Sequence, residues 1–275
     1  MQNFKSISLI ILAAALLSAC GGTKMLKEPV PMEIDGSLAV SGNDQVEVVL
    51  DWVTVRDGPG TWAKNADWDE YQLRVTNHGS DAITLTDVQV FDSLGYAAEP
   101  MDRRKDLVKG SKQTVKRYDK VADLKVKAGA NAGLMAAGGV AIFAAGSAAA
   151  YTAAYAAVMT GGTAAGGAVM LASGAVLAAP ALVGVGIARA VNNGKVDKEI
   201  QARSVALPLV VEPGETADLT LFFPLAPSPE KIRVAYEANG MQSEFDLTTA
   251  DELFGLHIDP EGENMQILFA QRAGE

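Results

Sequence analysis

The sequence predicts an α+β protein: a discontinuous antiparallel β-sandwich interrupted by a long Ala/Gly-rich α-helical hairpin. Three observations carry this. Residues 128–188 contain no Asp, Glu, Lys, Arg or His and are mostly Ala and Gly. On both sides of that stretch, short runs of alternating apolar and polar residues are separated by Gly, Pro, Asn and Asp. Each flank holds too few such runs to cover its own apolar face, so the two have to close on each other.

Residues 1–19 read as a secretory signal, with Lys5 as the positive n-region and residues 7–17 as an apolar h-region too short for a membrane span. The one cysteine, Cys20, follows at once. Leu17-Ser18-Ala19-Cys20 resembles the lipobox of bacterial lipoprotein signals. That resemblance covers only the N-terminal end of the chain. It implies cleavage before Cys20, diacylglycerol on its thiol and, in many bacteria, a further acyl chain on the new amine. In that family an Asp after the cysteine favours the inner membrane. Gly21 and Gly22 stand here instead, similar to the outer-membrane-sorted pattern of Gram-negative bacteria. The resemblance thus implies a lipid-anchored envelope protein, in the outer membrane with its body facing the periplasm. Its first partner is membrane lipid through acylated Cys20, since several acyl chains hold far more firmly than one. With its thiol so used, the mature chain has no disulfide and no cysteine metal site. Residues 20–31 are expected to form a lipidated tether reaching about 35 to 40 Å.

From Ile34 onward the strand pattern begins. Val46, Val48, Leu50 and Trp52 alternate with Glu47 and Asp51, and Asp57-Gly58-Pro59-Gly60 breaks the run. Tyr71, Leu73 and Val75 alternate with polar residues up to the turn Asn77-His78-Gly79-Ser80. Ile83 and Leu85 lie on one parity and Val88 and Val90 on the other, which predicts a bulge near Thr86-Asp87. Beyond the hairpin, Val205, Leu207 and Leu209 lead to the turn at residues 212–215. Leu219, Leu221 and Phe223 precede a corner containing Pro224, Pro227 and Pro229. Ile232, Val234 and Tyr236 precede Asn239-Gly240, a strong two-residue hairpin signal, and Met241, Phe245 and Leu247 follow. About seven to nine strands at this spacing suit an immunoglobulin-like sandwich. Residues 71–95 resemble, in rhythm, the accessory Ig-like domains of bacterial envelope proteins. Residues 32–100 and 203–258 are therefore read as one discontinuous Ig-like sandwich, and 259–275 as a tail.

Residues 101–127 are locally basic. Val115, Tyr118, Val121 and Leu124 recur at helical spacing, which predicts an amphipathic helix running into the apolar stretch. Lys116, Arg117, Lys120, Lys125 and Lys127 on this side, and Arg189 on the far side, are placed to meet anionic head groups. A plain solvated helix face is the alternative.

The hairpin itself occupies residues 128–191. Gly129, Gly133, Ala137, Ala141, Ala145, Ala149, Ala153 and Ala157 fall at four-residue intervals, and Gly162 and Gly166 continue in the second arm. Such rows of small residues form a glycine-zipper-like face on which helices approach closely. Residues 160–163 supply the turn and Pro180 should kink or interrupt the second arm. Two helices of about 25 to 30 residues would each be about 40 Å long, enough to pass a hydrocarbon core of about 30 Å. Ala and Gly are weakly lipophilic, however, and basic flanks on the non-cytoplasmic side run against the positive-inside rule. Membrane association and a self-packed hairpin both stay open. In composition the hairpin resembles those of pore-forming colicins.

With 33 acidic against 23 basic residues and a net charge of −10, the surface repels phosphate backbones, so nucleic acid is not an expected partner. His78 and His257 each lack a partner at ligand spacing and read as surface histidines. Asp67, Asp69 and Glu70 read as a solvated loop whose neighbours Trp62 and Trp68 enter the core, in preference to a calcium site. No catalytic residue, cofactor or metal is expected. The expected function is a non-enzymatic, lipid-anchored envelope protein whose hairpin associates with membrane or self-packs. The alternatives are an adaptor docking its hairpin onto an envelope complex and an oligomeric pore-forming lipoprotein.

Overall fold

Where apolar residues fall at every second position the chain is extended and paired, and the computed structural model describes this for residues 22–32, 36–128 and 178–259, with side chains from 191 onward in the last segment. The signal segment, Cys20 and residues 260–275 lie outside the described residues. So do Gly129, Gly133, Ala137, Ala141, Ala145, Ala149, Ala153, Ala157, Gly162 and Gly166.

One sheet has the order β2 (Ala39–Gly42), β3 (Val46–Thr54), β5 (Asp69–Asn77), β9 (Thr216–Phe223). The other runs β11 (Met241–Thr248), β10 (Lys231–Ala238), β6 (Ile83–Phe91), β7 (Ala97–Ala98), with β8 (Leu209–Val211) also on β6. A third, two-stranded ribbon joins β1 (Lys24–Met25) to β4 (Ala63–Lys64). All pairs are antiparallel. In both large sheets, strands that follow the insertion pair with strands that precede it: β9 with β5, and β8 and β10 with β6. Inward residues of both sheets, among them Leu50, Tyr71, Leu73, Leu85, Leu219, Ile232 and Leu247, form one buried cluster.

The bulge predicted in β6 is present: Leu85 faces Tyr236 and Asp87 faces Ala235, leaving Thr86 as the extra residue. The Asn239-Gly240 hairpin is also present, with Ala238 opposite Met241 and both turn residues at positive φ, 53° and 74°. In β3 the expected alternation fails after Leu50. Asp51 is a bulge residue, which shifts the core face to Val53 and Val55 and leaves Trp52 half-buried outside it. A bidentate pair explains the bulge's placement: Arg74 Nε and an Arg74 terminal nitrogen donate to the two Asp51 oxygens at 2.7 and 2.8 Å. Met241 is exposed rather than a core residue.

The basic segment forms α1 (Arg104–Val121), and a second helix, α2 (Ala178–Arg203), returns to the sheets. The expected apolar face of α1 needs correcting. Its buried residues are Leu107, Ser111, Thr114 and Tyr118, while Val121 is exposed. The helix also stops instead of running into the apolar stretch: Asp123 takes a left-handed φ of 52°, which places Leu124 outside the helical frame. α2 continues past the expected boundary at 191, through Asn192, Asn193 and Gly194, to Arg203. The described part of α2 runs helical from Ala178 through Pro180 to Arg203. Among the described residues, no helix is long and apolar enough to cross a membrane.

Candidate functional site

The insertion departs and returns through two stems, and side chains from one end of β5 fasten both. On the outgoing side the chain leaving α1 meets the C-terminal segment in an isolated antiparallel bridge, Val126 against Ile258. Lys127 N–H donates to the His257 carbonyl at 2.8 Å and Asp259 N–H to the Lys125 carbonyl at 2.9 Å. Lys127 Nζ lies 2.6 Å from an Asp259 carboxylate oxygen.

Behind this bridge the His257 ring is fully buried, with Nε2 2.9 Å from Asp69 Oδ2 and Nδ1 3.3 Å from the Lys127 carbonyl. Both partners are acceptors when Asp69 is ionised, so the ring satisfies both only as a double donor. Two residues along β5, on the same face as Asp69, the Tyr71 hydroxyl is buried. Among the described residues neither it nor Asp69 Oδ1 has a hydrogen-bond partner. Burial pushes the Tyr71 hydroxyl well above its ordinary range, and the Asp69 charge adds to this. The expectation of a surface His257 and a solvated Asp69 is thus overturned. A contact across 188 positions leaves no local spacing to read.

On the returning side the side chain of Glu70, next in β5, points to the opposite face. Trp62 Nε1 donates to Glu70 Oε2 at 2.6 Å, and an Arg203 guanidinium nitrogen lies 3.6 Å from Oε1. The same guanidinium stands over the Trp62 ring, 4.9 Å from its centroid. Burial raises the Glu70 carboxyl above its ordinary value, against the pull of Trp62 and Arg203. Around this pair a second apolar cluster joins Trp62, Trp68, Leu107 and Phe222 to Val196 and Ile200 of α2. Trp62 and Trp68 therefore do enter a core, but Glu70 is buried with them.

α1 is held between the stems. Asp197 of α2 accepts the Arg104 N–H at 2.9 Å, capping a helix whose own N-cap residue, Arg103, offers no side-chain bond. Ser111 Oγ donates to the Asp67 carbonyl at 2.6 Å and accepts Leu225 N–H at 3.0 Å. Tyr118, fully buried, donates to the Pro227 carbonyl at 3.1 Å. Of the basic residues expected to face lipid, Arg117 instead pairs with buried Asp92 at 3.0 Å and stacks on Tyr96 at 3.9 Å. Lys127 belongs to the bridge above. Lys116, Lys120 and Lys125 are exposed, and Arg189 lies in the part of α2 without described side chains.

The expected tether is docked as well. Leu26 N–H donates to the Trp62 carbonyl and Val30 N–H to the Thr61 carbonyl, each at 2.8 Å, and Thr23 Oγ1 reaches the Asn65 carbonyl at 3.3 Å. Met25 packs on the Trp62 cluster beside Val196 and Ile200. Residues 22–30 of the expected tether are thus held against the body rather than free.

An open groove of about 660 Å³ lies between the start of α1 and residues 204–207, lined by Met101, Leu207, Leu221 and Phe222 and by Asp87, Glu99, Asp102 and Asp106. Among the described residues no three His, Cys, Asp or Glu side chains are grouped to hold a metal ion. No protein-family model, curated protein or solved structure matches the chain.

Proposed function

We propose that the chain is a non-enzymatic, lipid-anchored protein of the cell envelope, its Ig-like body facing the periplasm from the outer membrane and holding the Ala/Gly-rich insertion against that membrane. The observation that supports this is convergence. Met25, five residues after Cys20, packs in the same cluster as Val196 and Ile200 of the returning stem. An acyl anchor on Cys20 therefore delivers the base of the insertion to the lipid surface. Both stems are fastened to β5, so the insertion stands on a rigid mount rather than on loose linkers. The buried Asp69–His257 pair suits a structural role, because no substrate atom reaches a ring at zero exposure.

The test is photo-crosslinking from Phe143 and Tyr151, two bulky residues of the Ala/Gly-rich stretch, in intact envelopes, with mass spectrometry of the N-terminal peptide. Lipid adducts and a diacylated Cys20 are the expected result. Adducts to another protein would replace this reading by the adaptor, and adducts to a second copy by a self-packed hairpin. An unmodified Cys20 would remove the anchor.

A further inference from the structure

The ribbon of β1 and β4 sets Lys24 directly opposite Lys64. Both side chains are exposed, and among the described residues neither forms an ion pair. Like charges facing each other across a ladder destabilise it. A chain carrying 33 carboxylates has ample means to neutralise one of them, yet places lysine against lysine. The neighbouring Lys27 is exposed too. Such a pair is relieved when an anionic surface lies over it.

The position of the ribbon says which surface. Its backbone is fixed by the bond from Leu26 to Trp62 at 2.8 Å and by Met25 in the Trp62 cluster. From Cys20 to Lys24 an extended chain spans at most about 14 Å. A Cys20 thiol held at the bilayer surface leaves the ribbon little choice but to lie close to the head groups. There a lysine strengthens attachment to an anionic leaflet by about fivefold. We propose that Lys24 and Lys64 form the face that this protein lays on anionic phospholipid head groups, which orients the body and the base of the insertion toward the bilayer. This rests on the lipid-anchor reading.

The test uses the full acylated chain in proteoliposomes of phosphatidylcholine with or without about one third phosphatidylglycerol. Acylation leaves an introduced cysteine as the one reactive thiol, so a fluorophore goes on Glu28→Cys beside the ribbon or on Met241→Cys. Met241 lies at the far end of the sheets, where Asn239 bonds Asp81, away from the Asp69 end that carries the ribbon. Spin-labelled head groups should quench the Glu28→Cys probe strongly in anionic vesicles and the Met241→Cys probe little. Lys24→Glu with Lys64→Glu should reduce that quenching at least fivefold, Lys24→Gln with Lys64→Gln should fall between, and Trp62 and Trp68 emission should show the fold unchanged. Quenching indifferent to these changes or to phosphatidylglycerol, with Cys20 acylated, would overturn the proposal while leaving the anchor standing. So would stronger quenching at Met241→Cys, or capture of a protein from the Glu28 position in intact envelopes. A chain without acyl groups on Cys20 would overturn the anchor and this face together.

Discussion

His257 Nε2 lies 2.9 Å from Asp69 Oδ2, both side chains are fully buried, and the bond joins residues 188 apart in sequence. It ties the C-terminal segment to the first residue of β5, and through the Lys127 carbonyl it reaches the outgoing stem. His257 holds this place with a left-handed φ of 64°, so the turn at residues 255–257 is shaped around the contact. His257→Ala leaves the Asp69 carboxylate buried without a partner and should cost about 3–5 kcal/mol. Denaturant unfolding in mild detergent, followed by tryptophan emission, measures it. Asp69→Asn keeps the shape and should cost less, about 1–3 kcal/mol. In both variants hydrogen exchange at residues 125–127 should speed up before global unfolding, and an unchanged exchange rate there would show that the pair does not clamp the stem.

Glu70 should give the fold an unusual pH slope. Burial raises its carboxyl above the ordinary value of 4.5, ahead of the lowering by Trp62 and Arg203. A folded state that holds its proton more tightly than the unfolded chain gains stability at low pH and loses it as pH rises through the folded value. Glu70→Gln keeps an acceptor for Trp62 and fixes the neutral form. Relative to Glu70→Gln, the natural chain should therefore lose stability as pH rises above 4.5. Denaturation midpoints for the two chains at several pH values decide this, and parallel curves would contradict it.

Asp246 has the opposite sign. Arg233 donates to both its oxygens at 2.8 and 3.1 Å and Lys231 Nζ adds a third bond at 2.7 Å, holding the carboxyl down to about 2. A depressed carboxyl contributes stability above its unfolded value, near 3.8, that is lost as pH falls through about 2. The group is partly exposed, so solvent screens the effect. Asp246→Asn should cost under about 1 kcal/mol at neutral pH, and its curve should converge on that of the natural chain only below about pH 2.

Much of the sheet framework is legible because strand alternation is local. Ile83 and Leu85 against Val88 and Val90 locate the β6 bulge, and Asn239-Gly240 locates the last hairpin. The β3 bulge is not visible in the sequence because Trp52 continues the apolar parity while Asp51, the bulge residue, is accommodated by Arg74 on another strand. The buried face of α1 is not legible in the sequence for a similar reason. Ser111 and Thr114 are buried through hydroxyl bonds that hydropathy does not register. The clamps at the base of the insertion join β5 to His257 and to Arg203, and no periodicity spans such distances. The docking of residues 22–30 was hidden in a stretch that reads as a polar linker yet pairs with β4.

Two glycines in the two helices should respond to alanine with opposite signs. Alanine favours a helix interior by about 1 kcal/mol over glycine where space allows. At Gly194 in α2 a Cβ would meet nothing within 4 Å, so Gly194→Ala should stabilise by up to about 1 kcal/mol. At Gly110 in α1 a Cβ would fall 2.6 and 2.9 Å from Pro224 Cγ and Cβ, atoms of a rigid ring at the corner after β9. α1 would have to lift from that corner, which pulls on the Ser111 bonds to Asp67 and Leu225. The strain should outweigh the propensity gain and leave Gly110→Ala about 1–2 kcal/mol less stable. Paired denaturation curves test both. A stabilising Gly110→Ala would mean that α1 is not seated on Pro224, and the outgoing stem would then lack the support that α1 gives it.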